Sequence, residues 1–335
     1  MNPKVTEPDA GSRPRILITG GTGYLATSLV ARLSNTDCSI VRLARPGSSF
    51  PRVPGQARVQ DITGDLRNDA IWESALEDVD AVFHFAAQTS VSVAAKNPRT
   101  DFQANVMPML HLLETCRLRQ WRPDVLFSGT VTQAGIPGTI PVDETHPDHP
   151  VTAYDLHKQM AENYLKYYAG EGVVRGAVLR LANVYGPGPR SSSADRGILN
   201  QMIARALRGE TLTIFGQGRQ LRDYVYVEDV SRAFACAAGA MERLNGRHFV
   251  IGSGQGVAIA DAVVLVAERV ARRTGQKPEV VHVDPPEPPS PIDARNFIAD
   301  SALFSGMTGW QPRVSLAEGI DRTIDSCLVE GSGRQ

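Results

Sequence analysis

The apolar positions of this chain fall into two periods. Arg15-Ile-Leu-Ile-Thr19 is a short apolar run of strand length, Tyr24 to Leu33 carries helical spacing, and Ser39-Ile-Val-Arg-Leu43 is a second buried run. Together they predict a βαβ unit. Further strand-like runs occur at 80–85, 124–127, 176–181 and 247–251, with longer helical patterns over 105–120 and 154–169. Such alternation predicts an α/β fold, a Rossmann-like doubly wound parallel sheet with helices on both faces. After Asn183 the texture changes to Gly186-Pro-Gly-Pro189 and the serine-rich stretch 191–197, a loop rich in turn residues. A smaller mixed α/β C-terminal lobe is expected from there, with a helix over 199–208, strands over 211–215 and 224–227, and a proline-dense connecting loop over 284–291. The expected division is a disordered tail over 1–13, a first domain over 14–182 that also receives about 224–252, and a second lobe from 183–223 and 253–330.

Composition narrows the function. At 335 residues, 42% hydrophobic and 21% charged, the chain suits a globular enzyme of one large or two modest domains. Lys plus Arg number 35 against 36 Asp plus Glu, so no general basic field exists for a nucleic acid or an anionic membrane. Apolar runs such as Ala233 to Ala240 fall short of the roughly 20 residues that cross a bilayer, and the N-terminus lacks a signal-peptide core, which together predict a cytoplasmic protein. Cys38, Cys116, Cys236 and Cys327 are far apart without C-x-x-C spacing; they read as small buried hydrophobes, with no metal site.

Chemistry first shows in Gly21-Thr22-Gly23-Tyr24-Leu25-Ala26, a G-x-G-x-x-A run directly after a strand and opening a helix. Gly20 and Gly21 permit a tight turn, Gly23 lets backbone N–H groups approach a pyrophosphate, and Ala26 allows close packing of helix on strand. A dinucleotide is the expected ligand. At the end of the second strand, where an acid would bind the adenosine 2′-hydroxyl, stands Ala44, followed by Arg45, with Arg42 and Arg52 near in sequence. A guanidinium suits a 2′-phosphate, so NADP is favoured over NAD. Asp65 and Leu66, in Gly64-Asp-Leu66, are placed to meet the adenine or simply form a turn.

Tyr154 and Lys158 stand at i and i+4, hence on one face of a helix. A tyrosine ordinarily titrates near 10; bringing it to about 7 takes roughly 4 kcal/mol in favour of phenolate, which a nearby ammonium and an oxidised nicotinamide could supply. In isolation the same spacing also suits a solvent-facing helix stripe; its place some 130 residues after the glycine turn favours the chemical use.

These segments, with His84-Phe-Ala-Ala-Gln88, Asn105-Val106, Phe127-Ser-Gly-Thr130, Arg180-Leu-Ala-Asn183-Val-Tyr-Gly186, Arg222-Asp-Tyr224, Val227-Glu-Asp-Val230 and Gly309-Trp-Gln-Pro312, resemble the extended short-chain dehydrogenase/reductase family, in its nucleotide-sugar epimerase/dehydratase branch. The resemblance covers about residues 14 to 325. It implies a first domain that holds the dinucleotide and a C-terminal lobe that holds a nucleotide-activated sugar. By position, it makes Tyr154 the base, Lys158 the ligand of the nicotinamide ribose, Thr130 the hydroxyl that meets the reacting sugar, and Asn105 the helix asparagine that supports the lysine. It puts Phe85, Ala86 and Ala87 beside the cofactor with Tyr24 and Leu25, and Gln88, Asn183, Phe215 and Arg222 beside the substrate. In the late loop Ser290-Pro-Ile-Asp293 replaces the R-P-x-D of many relatives, leaving Arg295 as the nearby guanidinium. His84 reads as a core histidine rather than a catalyst.

The dehydratases of this branch follow the catalytic threonine with Asp-Glu; here Val131-Thr132 follow Thr130. What remains is 4-epimerisation through a transient 4-keto sugar, with NADPH-dependent 4-ketoreduction as the alternative. The resemblance also implies a homodimer built on the helices 105–120 and 154–169, with Leu110, Leu112, Leu113, Tyr164, Leu165 and Tyr168 as seam residues, unless the same residues pack on the sheet.

Overall fold

The computed structural model describes residues 13–189, 197–284 and 294–332. Residues 1–12 of the expected tail over 1–13, residues 191–196 of the serine-rich stretch, and the Ser290 to Asp293 segment lie outside the described residues. Strands β1 (Arg15–Thr19), β2 (Ser39–Ala44), β3 (Arg58–Thr63), β4 (Ala81–His84), β5 (Asp124–Thr130) and β6 (Arg175–Leu181) alternate with helices α1 (Tyr24–Leu33), α2 (Ala70–Leu76), α3 (Val91–Lys96), α4 (Pro98–Asn105), α5 (Met107–Arg119) and α6 (Ala153–Gly170). Then follow β7 (Asn183–Tyr185), α7 (Ile198–Leu207), β8 (Leu212–Phe215), β9 (Leu221–Tyr226), α8 (Val227–Ala238), α9 (Met241–Leu244), β10 (Arg247–Ile251), β11 (Gly256–Ala258), α10 (Ile259–Thr274), β12 (Val280–Val283), α11 (Ala302–Thr308) and α12 (Leu316–Ser332).

The main sheet has seven strands in the order β10-β6-β5-β4-β1-β2-β3, every neighbouring pair parallel. It is Rossmann-like, and the strand order reverses between β1 and β4, which opens a crevice at their C-terminal ends. Because both faces are covered, successive residues of one strand enter different cores: Ile16 and Ile18 pack with α1 and α8, Leu17 with α2, α5 and α6. A smaller lobe combines a three-stranded sheet, β11-β9-β7, and a parallel β12-β8 pair with α7, α10 and α12 around a third core. Strand β9 therefore belongs to the small lobe, while β10 returns to the main sheet. No helix among the described residues is long and apolar enough to cross a membrane.

The helix expected over 105–120 divides at Val106. Asn97 accepts a hydrogen bond from the Thr100 amide and starts α4 with Pro98 in its first turn; Pro108 then occupies the first turn of α5 and interrupts the hydrogen-bond ladder. Asn105 thus ends one helix instead of opening the next. Leu112, Leu113 and Leu165 are fully buried against the sheet, so half of the expected seam residues serve this chain's own core. None of the four cysteines is joined in a disulfide; Cys38 and Cys116 are buried, and Cys236 and Cys327 are half-buried.

Candidate active site

The glycine turn joins β1 to α1 at the crevice. Gly20 has φ +67°, and a Cβ there would lie 3.0 Å from the Ala86 backbone, so both conformation and space require glycine. At Gly21 a Cβ would meet the Arg42 Cβ at 2.7 Å; at Gly23 it would meet the Gly20 carbonyl at 2.9 Å. Gly23 caps α1 without a side-chain hydrogen bond and no acid occupies the first turn, which leaves the helix N-terminus open to an anion. This turn fits a dinucleotide pyrophosphate. Thr19 ties the turn to the end of β4: its Oγ1 accepts the Phe85 and Ala86 amides at 3.2 Å each and lies 2.9 Å from His84 Nδ1. With its acceptor sites filled, Thr19 donates to Nδ1, so the proton of neutral His84 sits on Nε2. Burial, then the charge of Lys158, push that imidazole down to about 3. His84 is a neutral core residue stacked on Phe127.

Ala44 and exposed Arg45 end β2 as expected. Arg42 does not join them: it is buried, forks onto its cross-strand partner Asp61 at 2.7 and 2.8 Å, and donates to the Pro51 carbonyl. These contacts hold its guanidinium against Asp61 and Pro51. Asp65 is bound by Arg67, whose hydrogen bonds bring the carboxyl down to about 2, and the Leu66 carbonyl accepts the Trp72 indole N–H. The Tyr24 phenol reaches across to the small lobe, donating to the Gly186 carbonyl at 2.8 Å and accepting from Asn200.

The candidate residues Thr130, Tyr154 and Lys158 lie at the end of β5 and the start of α6. Thr152 caps α6 through the Asp155 amide and puts Tyr154 and Lys158 on one buried face of its first two turns. The Lys158 ammonium lies 3.9 Å above the Phe127 ring of β5. Thr130, at the end of β5, is linked to α6 through two residues that sequence reasoning missed: its Oγ1 lies 2.9 Å from Thr132 Oγ1, and Thr132 donates to the buried Asp155 carboxylate. Since the one Thr132 proton goes to Asp155, Thr130 donates to Thr132, accepts the Thr132 amide at 3.3 Å and keeps one further acceptor site. Both missed residues are polar neighbours of the motif threonine and tyrosine, which was the available signal.

Asn105 Nδ2 donates to the Gln88 carbonyl at 3.0 Å and to Asp101 Oδ1 at 2.9 Å. The Gln88 side chain is itself engaged by Ser90 and by Asp101 at 2.6 Å, which joins it to the Asn105 network. In the small lobe Asn183 pairs in register with Tyr224, and Arg222 lies on the same sheet face two residues before it. Arg222 donates to the Arg295 carbonyl, so two of the expected phosphate ligands are adjacent. Phe215, 57% exposed, ends β8. Asp223 is different: it accepts the amides of Ser253, Gly254 and Ala299 and the Ser253 hydroxyl, and clamps three segments together.

A family model described as the NAD dependent epimerase/dehydratase family matches residues 16–252. The chain belongs to this family. Among relatives, a UDP-glucose 4-epimerase of Mycolicibacterium smegmatis is 30% identical, over 93% of this chain and 97% of its own length. Among solved structures, a UDP-glucose 4-epimerase of Thermotoga maritima with UDP-glucose is 31% identical with a TM-score of 0.84, covering 94% of this chain and 99% of that one. A Thermus thermophilus UDP-glucose 4-epimerase complexed with NAD is 30% identical with a TM-score of 0.79, covering 93% and 98%. In this epimerase/dehydratase family member the late motifs serve structure: the Trp310 indole donates to the Asp229 carbonyl at 2.9 Å, and the Asp229 carboxylate accepts the Arg313 and Val314 amides.

Proposed function

We propose that the protein is a nucleotide-sugar 4-epimerase that acts through a transient 4-keto sugar, with a UDP-hexose as the substrate class. The observation that supports this reading is that Thr130 at the end of β5 is linked through Thr132 and Asp155 to α6, whose first two turns carry Tyr154 and Lys158. A dinucleotide held by its pyrophosphate at the glycine turn would supply, in its nicotinamide, a reversible hydride acceptor for C4. Tyr154 takes the single proton of the C4 hydroxyl as hydride leaves C4, Thr130 meets the sugar beside that hydroxyl, and the Lys158 ammonium favours the phenolate and holds the ribose. Asn183, Arg222, Arg295 and Phe215 are proposed to bind the nucleotide diphosphate, with Arg222 on phosphate oxygens. The absence of an acid pair after Thr130 supports epimerisation over dehydration. Incubation with a panel of nucleotide hexoses tests the reading: inversion at C4 without net cofactor consumption is expected. Tyr154→Phe should lower kcat by about 10²–10⁴-fold while cofactor affinity stays within twofold; a fully active variant would rule out this base.

One observation favours a second reading. Ala44 and exposed Arg45 leave no carboxylate at the end of β2, which supports NADP and a 4-ketoreductase that consumes NADPH stoichiometrically. Ala44→Asp should then move cofactor preference toward NAD, measured as the ratio of dissociation constants. We further propose a cytoplasmic homodimer, supported by exposed Leu118, Leu156 and Tyr167 on α5 and α6. Light scattering at twice the chain mass is the expected result.

A further inference from the structure

We infer that Asp101 and His157 form a positioning pair that fixes the orientation of the Asn105 carboxamide, and with it the acceptor that Asn105 presents to the active site. The inference rests on the proposed function only for the kinetic part of its test. Asp101 is fully buried on α4, and both of its oxygens are occupied: Oδ1 accepts Gln88 Nε2 at 2.6 Å and Asn105 Nδ2 at 2.9 Å, and Oδ2 accepts His157 Nδ1 at 2.6 Å. An ionised carboxylate only accepts, so it decides which end of each neighbouring amide faces it. At Asn105 it selects the nitrogen, whose other hydrogen is taken by the Gln88 carbonyl at 3.0 Å. The Asn105 oxygen therefore points the other way. There it is buried, and no donor among the described residues reaches it. A buried carbonyl oxygen held open in this manner is built to receive a donor from outside the protein, a water or a ligand group.

His157 supplies the third donor that a buried carboxylate needs. It stands between Tyr154 and Lys158 on α6 but on another face, where it lines an open depression of about 490 Å³ with Phe102 and Met107. The histidine thus braces the carboxylate from the outer side of the helix pair, and the carboxylate orients the asparagine on the inner side. Asp101 and His157 are 56 residues apart in sequence, which hides the pair from any local motif.

Asp101→Asn keeps the shape but offers a donor where only an acceptor stood, so the Asn105 amide loses the partner that fixes its sense, while the Ser90 amide and carbonyl still hold Gln88. With a substrate from the panel, kcat is expected to fall tenfold to a hundredfold, with KM and cofactor affinity within about twofold. His157→Leu removes the donor and should lower kcat by at least threefold; His157→Asn, whose amide reaches the Nδ1 position, should restore it. The His157 variants cover the case in which Asp101→Asn fails to fold. An independent readout is the side-chain amide spectrum, assigned with Asn105→Ser: both Nδ2 protons of Asn105 should be protected from exchange in the parent and exposed in Asp101→Asn and His157→Leu. If the parent turns over no nucleotide sugar, the proposed activity falls while the amide spectra still decide the orientation. Unchanged amide protection, or equal kcat in His157→Leu and His157→Asn, would overturn the positioning role.

Discussion

Glu162→Gln tests how the catalytic helix is held in place. Glu162 lies one turn beyond Lys158 on α6 and is fully buried, receiving Arg180 Nε at 2.9 Å and Nη2 at 2.6 Å and Lys166 Nζ at 2.5 Å, while Arg180 also binds Asp148 at 2.6 Å. His248 sits in the same cluster and stays neutral, because burial and then the Arg180 charge push it down to about 4. Two carboxylates thus balance two cations. Burial opposes the Glu162 charge, but the Arg180 hydrogen bonds and the Arg180 and Lys166 charges outweigh it and bring the carboxyl from 4.5 to about 2. A carboxyl lowered that far on folding contributes about 3 kcal/mol, present above pH 4.5 and lost as the pH falls toward 2. Replacing it with glutamine leaves a buried excess cation and should cost about 3–5 kcal/mol at pH 7. Urea unfolding followed by circular dichroism at pH 7 and pH 3 measures both effects. The variant should be much less stable at pH 7 and should show a shallower loss of stability toward acid than the parent. A difference below about 1 kcal/mol at pH 7, or an unchanged acid slope, would refute the reasoning.

Gly21→Ala should weaken cofactor binding at least tenfold and destabilise the fold by about 1–3 kcal/mol, because the new methyl meets the Arg42 Cβ and backbone, which cannot yield without moving β2; calorimetric titration and thermal melting check it. Tyr24→Phe should cost only about 1 kcal/mol, since Asn200 Nδ2 still donates to the Gly186 carbonyl at 2.9 Å; a loss above 3 kcal/mol would mean that the phenol carries the lobe contact alone.

Much of the main sheet was legible because each strand is a self-contained apolar run. Strands β1 and β10 and helix α1 occupy the expected residues, and β2 extends one residue further. The small lobe was less legible: β7 and β11 have three residues each, too short for a periodic signal, and their pairing with β9 is decided by packing. The helix break at Val106 was written in Pro108, yet the apolar periodicity ran through it. At the site, Tyr154 and Lys158 are local partners on one helix and so could be paired by spacing. Thr132 with Asp155, and Asp101 with His157, are joined only when α4, α6 and the end of β5 pack together. Arg42 shows the reverse case: its nearness to Arg45 in sequence suggested a phosphate ligand, but alternation along β2 and its register with Asp61 send it elsewhere.

The fate of the C4 hydrogen is the most direct test of the chemistry. A nucleotide hexose carrying deuterium at C4 is incubated with the enzyme and cofactor in ordinary water, and the epimerised product is examined by mass spectrometry and NMR. The account predicts that the label remains at C4 in the inverted sugar, with no net change in cofactor redox state. Loss of deuterium to the solvent, or an inverted product that appears only with stoichiometric cofactor consumption, would contradict it.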